Sequence, residues 1–163
     1  MTGKTHIMGG IAACTAVSYY YGLDPIIATS SGAIGALIPD LCHTKSKIGR
    51  KFPLLSSLIS SVFGHRTFTH SLLFMLIIYF IATTYIPSDN LKIGLLVGMA
   101  SHLLLDAATV NGIKLLFPAT LKVRLPLYVK TGSAGEQAVL AALTIVTFYY
   151  IASLCGLPIP FHS

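Results

Sequence analysis

Apolar residues gather in five runs along the chain: Ile7 to Tyr21, Pro25 to Ile38, Ser71 to Ile86, Ile93 to Val110 and Ala138 to Leu157. Each run is nearly free of full charges, and short polar breaks separate them, which predicts membrane helices rather than the one-sided stripes of a soluble bundle. Two runs are nearer fifteen residues than the roughly twenty needed to cross the hydrocarbon core, so their flanks must extend the helices. The second run has the weakest pattern, because it carries two glycines, Gly32 and Gly35, with Thr29, Ser30 and Ser31. Between the second and third runs Phe52, Leu54, Leu55, Leu58, Ile59, Val62 and Phe63 recur at helical spacing among serines. This segment reads either as an amphipathic helix lying on the membrane surface or as a packed lid over the inner helix ends. The pattern as a whole predicts an all-α integral membrane bundle of about five short transmembrane helices with an amphipathic interfacial helix.

Composition agrees with that picture. A chain of 163 residues has room for one domain, 1–163, and 54% hydrophobic with only 10% charged residues lies far from soluble averages. Lys4 followed by Ile11-Ala12-Ala13-Cys14 resembles a lipoprotein cleavage box, but the apolar stretch before the cysteine is too short for a signal peptide. The three cysteines, 14, 42 and 155, form neither a CxxC pair nor an even framework, so structural disulfides are not expected.

The net charge of +6 could suggest a nucleic-acid partner, but its distribution argues for a membrane instead. Lys4, Lys45, Lys47, Arg50, Lys51, Arg66, Lys114, Lys122, Arg124 and Lys130 fall on one side of a five-span weave, and only Lys92 on the other. The crowded side is then cytoplasmic, with the amino terminus inside and the carboxyl terminus outside. Two basic inner loops, residues 40 to 69 and 111 to 134, carry most of this charge. Asp24 and Asp89 occupy the short outer turns beside Pro25 and Pro87, where turn chemistry and solvent account for them.

Ionisable groups at membrane depth are costly, so their positions are informative. Of the five acids, the three not in outer turns, Asp40, Asp106 and Glu136, fall at the inner ends of the second, fourth and fifth runs. Five of the six histidines, 6, 43, 65, 70 and 102, fall at the same level, while His162 lies on the outer tail. The most regular segment is Gly94-x3-Gly98-x3-His102-x3-Asp106, whose four-residue step keeps all four positions on one helix stripe. Small residues let helices approach, and the histidine and aspartate then stand one turn apart, where one metal can take both. The same step recurs as Ala28, Gly32, Ala36, Asp40 and as His6, Gly10, Cys14, Ser18, so three helices converge on one inner cluster. Thr69 is the expected N-cap of the third helix, which leaves His65 on an arm that can fold back toward His70 and the cluster. Arg66 reads either as a holder of an anionic group or as an interfacial anchor. Acids that share their level with histidines rather than with Lys or Arg suit zinc, with manganese as the alternative.

These residues carry a resemblance. The chain resembles the YdjM-like predicted membrane-bound metal-dependent hydrolases over nearly its whole length. The matching segments are Thr5-His6 with Gly9-Gly10, Gly35-Ala36-Leu37-Ile38-Pro39-Asp40 with His43, Ser46-x-Ile48-Gly49, His65-Arg66-x-x-Thr69-His70-Ser71-Leu72, His102-x3-Asp106, and Thr131-Gly132-Ser133 with Glu136. Cys42 departs from the family, which more usually has an aspartate between the motif aspartate and histidine. The family is in turn distantly similar to the zinc-dependent phospholipase C and P1 nuclease group, all-helical enzymes that cleave phosphodiester bonds. That similarity implies His6, Asp40, His65 or His70, His102 and Asp106 as ligands, with Glu136 a further candidate. The group's HxxxE step corresponds here to Gly132-x3-Glu136, without a histidine, so two divalent ions are expected and a third is left open.

The resulting expectation is a membrane-bound metal-dependent hydrolase cleaving a phosphoester of a lipid headgroup at the cytoplasmic leaflet. His43, Arg66 and Glu136 are its candidate catalytic groups, with Lys45 and Lys47 on the basic rim. The rival expectation is a non-enzymatic membrane protein in which a metal cluster staples short helices, for instance within an envelope or stress-response assembly. Metal transport is weaker, because no ionisable residue lies at mid-membrane.

Overall fold

In the computed structural model, residues 1–42, 68–119 and 121–157 are described, and they form five α-helices with no strand longer than an isolated bridge. α1 spans Gly3–Tyr21 and ends on Gly22, whose φ of 66° places it in the left-handed conformation that closes helices. α2 spans Pro25–Gly35, and the Asp24 carboxylate accepts from the backbone N–H groups of Ile26 and Ile27, so Asp24 is a helix cap. α3 spans Leu72–Tyr85, α4 spans Asp89–Ala107, and α5 spans Ala134–Leu154.

Three boundaries differ from the hydropathy pattern, each for a local reason. α1 begins at Gly3, ahead of the apolar run, and so takes His6 into the helix. α2 stops at Gly35, short of Ile38, and a 3₁₀ turn over Ile38–Cys42 follows, because Pro39 offers no N–H and disfavours the α conformation at Ile38. Ser71, not Thr69, caps α3, its hydroxyl accepting from Phe74 N–H at 3.2 Å, so His70 lies ahead of the helix in the preceding turn. The expected amphipathic segment, Phe52 to Phe63, lies outside the described residues.

α4 packs against α2, α1 and α3, and α5 packs on α1. Small residues at the contacts let the backbones nearly touch. A Cβ on Gly98 would stand 2.1 Å from the Gly32 carbonyl oxygen, and one on Gly10 would stand 2.6 Å from the same oxygen. The three small-residue stripes therefore meet at one backbone group of α2, as association within lipid favours.

The burial pattern is the reverse of a soluble protein's. The largest fully buried side chains include His6, His70, His102, Glu136, Thr5 and Thr15, whereas Ile26, Leu76, Phe80, Ile145 and Phe148 are exposed. Such an apolar exterior is an aggregation surface in water and a normal one in lipid. By length and composition, α5 is the one described helix able to cross a membrane; Pro25–Leu41 and Leu72–Tyr85 are apolar but shorter. Tyr19, Tyr20, Tyr149 and Tyr150 cluster where α1 and α5 end. That tyrosine group lies about 20 Å along α1 from His6, given 1.5 Å of rise per residue.

The connection between α4 and α5 is more ordered than a plain basic loop. Thr109 bridges to Val129 and Ile113 to Val123, while Ile113, Leu115 and Leu125 pack with Leu103, Ala107 and Met75. This folded segment closes the end of the bundle at which α4 finishes.

Candidate metal centre

Five side chains from four elements converge at one end of the bundle. His6 comes from the first turns of α1, Asp40 from the 3₁₀ turn after α2, His70 from the turn before α3, and His102 and Asp106 from the last turns of α4. All five are buried, from fully buried His70 and His102 to Asp40 at 8% exposure.

The spacing of their donor atoms is informative. His70 Nε2 is 3.4 Å from Asp106 Oδ2 and 3.9 Å from Asp40 Oδ1, and His102 Nε2 is 3.6 Å and 4.0 Å from the same two oxygens. The two Nε2 atoms are 3.2 Å apart, and His6 Nε2 is 3.2 Å from Asp106 Oδ1. Most of these separations exceed hydrogen-bonding range. Donors held about 2.1 Å from a shared tetrahedral cation stand about 3.4 Å from one another, which is the range found here. Two groups could hold an ion: His6 with Asp40 and His102, and His70 with His102 and Asp106, each with its donor atoms within 4.8 Å.

Neighbouring groups prepare two of the histidines. His102 Nδ1 lies 2.7 Å from the Ala36 carbonyl, which can only accept, so Nδ1 carries the proton and Nε2 turns a lone pair inward. His70 Nδ1 meets the Thr69 hydroxyl at 3.2 Å, and a hydroxyl can donate or accept, so His70 can likewise present Nε2 to the centre. His6 differs. Its Nδ1 has no hydrogen-bond partner despite near-complete burial, its Nε2 faces only Asp106 Oδ1, and its ring stacks on His102 with centroids 3.7 Å apart. A buried imidazole with one nitrogen unpartnered and the other turned to a carboxylate fits a ligand position. Asp106 also contacts the Met1 amino group through Oδ1.

Glu136, expected in the same cluster, belongs to neither group. It is fully buried, yet Oε1 accepts from Thr2 N–H and, at 2.7 Å, from the Thr5 hydroxyl, while Oε2 accepts from Gly132 N–H at 2.6 Å. Its oxygens are turned to the foot of α1 and to the turn before α5. His43, His65, Arg66, Lys45, Lys47 and His162 lie outside the described residues, as does the side chain of Cys42. Ala36 O, Thr69 and Thr5 support the cluster although none is a candidate ligand by residue type. Adjacency was the available signal for Thr69 and Thr5, and the four-residue step for Ala36.

A buried His and Asp cluster at the end of a bundle with an apolar exterior is a feature that sequence comparison can place. Residues 1–158 match the model of the YdjM inner membrane protein family. The chain belongs to the YdjM inner membrane protein family. It is 71% identical over 154 residues to the uncharacterized protein YvsG of Bacillus subtilis (strain 168), covering 94% of this chain and 96% of that relative. It is 34% identical over 168 residues to the inner membrane protein YdjM of Escherichia coli (strain K12), covering 94% of this chain and 85% of the relative. Shigella flexneri has a YdjM protein that matches to the same extent. No solved structure matches the chain. Family membership makes this a membrane protein of inner-membrane type.

Proposed function

We propose that this chain is a multi-pass membrane enzyme, a metal-dependent hydrolase that cleaves a phosphoester of a lipid headgroup at the cytoplasmic leaflet. One observation carries the reading: five buried His and Asp side chains whose donor atoms are spaced for a shared cation rather than for one another. Two carboxylates are buried among the histidines, and the Met1 amino group offsets one charge at Asp106 Oδ1, so a divalent ion would supply the further positive charge that such burial favours. Asp106 would be a carboxylate ligand of such an ion together with His70 and His102, which its Oδ2 faces. Divalent zinc or manganese held there would polarise a phosphoryl oxygen and make water a better nucleophile at neutral pH.

The protein's own residues supply orientation and charge. Ala36 O fixes the His102 tautomer, and Thr69 supports His70. Arg66, Lys45 and Lys47, which precede His70 in the sequence, would receive the anionic headgroup, and His43 would pass a proton to the leaving oxygen. The ten-to-one asymmetry of Lys and Arg supports the cytoplasmic side. The tyrosine group at the far end of α1 and α5 supports a second interface there. The distant similarity to zinc-dependent phospholipase C and P1 nuclease supports the phosphoester class through motifs alone.

The near-complete burial of the five side chains favours a second reading, a closed structural metal cluster. Turnover separates the two. Purified protein reloaded with zinc or manganese should release phosphate or a phosphorylated headgroup from phospholipids or chromogenic phosphoesters. Metal-replete protein inert on a broad panel would leave the structural cluster as the answer.

A further inference from the structure

We propose that Glu136 is a positioning residue, a strut that fixes the foot of α1 so that His6 meets the metal centre, and not itself a ligand. The inference rests on the metal-centre reading above. Each histidine of the cluster needs its ring held in place. His102 is held through Nδ1 by Ala36 O and His70 through Nδ1 by Thr69. His6 has no hydrogen bond at Nδ1 and its Nε2 is turned to Asp106 within the centre, so its placement falls to its backbone and to stacking on His102.

The backbone just before His6 is what Glu136 grips. Oε1 takes the Thr5 hydroxyl at 2.7 Å and the Thr2 N–H, one residue and one turn before His6. Oε2 takes Gly132 N–H at 2.6 Å, where φ of 81° turns the chain into α5. The fully buried carboxylate thus ties α1 to the start of α5 through three charge-assisted hydrogen bonds. These donors occupy three of the roughly four lone-pair positions a carboxylate offers. A group hydrogen-bonded directly to a ligand typically alters metal affinity by about 10- to 100-fold, and Glu136, acting one residue further out through Thr5, is expected toward the lower end.

The test compares full-length protein in detergent with Glu136→Gln, Thr5→Val and Thr5→Ser, using cobalt(II) as the probe. Glu136→Gln and Thr5→Val should each weaken cobalt affinity about 10-fold and change the visible cobalt spectrum, with the saturating cobalt content unchanged. Thr5→Ser, which keeps the hydroxyl, should restore both. In thermal unfolding the Glu136→Gln and Thr5→Val pair should be non-additive, the double variant losing no more than the worse single one. Unchanged affinity and spectrum in Glu136→Gln, a lower saturating cobalt content, or additive unfolding effects would each overturn the strut. A wild-type protein that binds no cobalt would sink the hydrolase reading instead, and the unfolding cycle would still decide whether Glu136 and Thr5 act together.

Discussion

Gly98→Ala adds a single methyl group in the middle of α4, and the structure allows its consequence to be worked through. The new Cβ would stand 2.1 Å from Gly32 O, 2.8 Å from Gly32 C and 2.9 Å from Gly32 Cα, all backbone atoms with no rotamer to yield. Ordinary contact begins near 3.4 Å, so α2 and α4 must part by about 1.3 Å, the difference between 3.4 and 2.1. One turn further on, the same separation would stretch the 2.7 Å bond from His102 Nδ1 to Ala36 O to about 4 Å, beyond hydrogen-bonding range. Overpacking of this kind costs about 1–3 kcal/mol, and the lost hydrogen bond adds about 1 kcal/mol. For a chain of this size, that total corresponds to a fall in Tm of roughly 5–15 °C. Circular dichroism of protein in detergent micelles measures the Tm, and competitive titration of zinc measures the second effect, a weaker metal site. The lipid-facing Ile145→Ala, at a side chain 69% exposed, serves as the control and should change neither. Wild-type Tm and wild-type zinc affinity in Gly98→Ala would refute the claim that close helix approach builds the centre.

Further outcomes follow from the same account. Reporter fusions should place the amino terminus in the cytoplasm and the carboxyl terminus outside; a carboxyl-terminal phosphatase fusion that is inactive, beside an active cytoplasmic reporter at that point, would end the five-span arrangement. Arg66→Ala should keep its metal and lose about 10- to 100-fold in turnover, read by metal analysis beside headgroup release, because a guanidinium that receives phosphate does not coordinate. Loss of metal in that variant would contradict the role. Asp106→Asn should bind metal far more weakly than wild type in zinc titrations, since an amide lacks the negative charge that holds a cation; equal affinity would remove Asp106 as a ligand.

What the sequence made legible was set by periodicity. The four-residue steps through His6, Ala36 and His102 predicted that three helices present small and ligating residues to one another, and those stripes are buried in the structure. Hydropathy was less informative at the helix ends. Gly3 to Thr5 look like a polar leader, but helical hydrogen bonding does not depend on apolar side chains, and α1 includes them. Asp40 was read as a continuation of the α2 stripe. Pro39 breaks that helix, and the 3₁₀ turn carries the carboxylate inward instead, which the proline could have signalled. Glu136 shows the larger limit. Its place ahead of the last apolar run was readable, but which donors its oxygens would meet depended on how the foot of α1 and the Gly132 turn come together in space. The folded connection over Thr109 to Val129 was hidden for the same reason, since bridges between distant residues leave little local pattern.

The central claim is that His6, Asp40, His70, His102 and Asp106 form a metal centre. Metal analysis of detergent-purified protein, after reloading with zinc and exhaustive dialysis, tests it most directly when wild type is compared with His102→Ala. The account predicts tightly held divalent metal in wild type and its loss in the variant, with circular dichroism showing that the helices remain. Wild-type protein that retains no metal, or His102→Ala that retains as much as wild type, would contradict it.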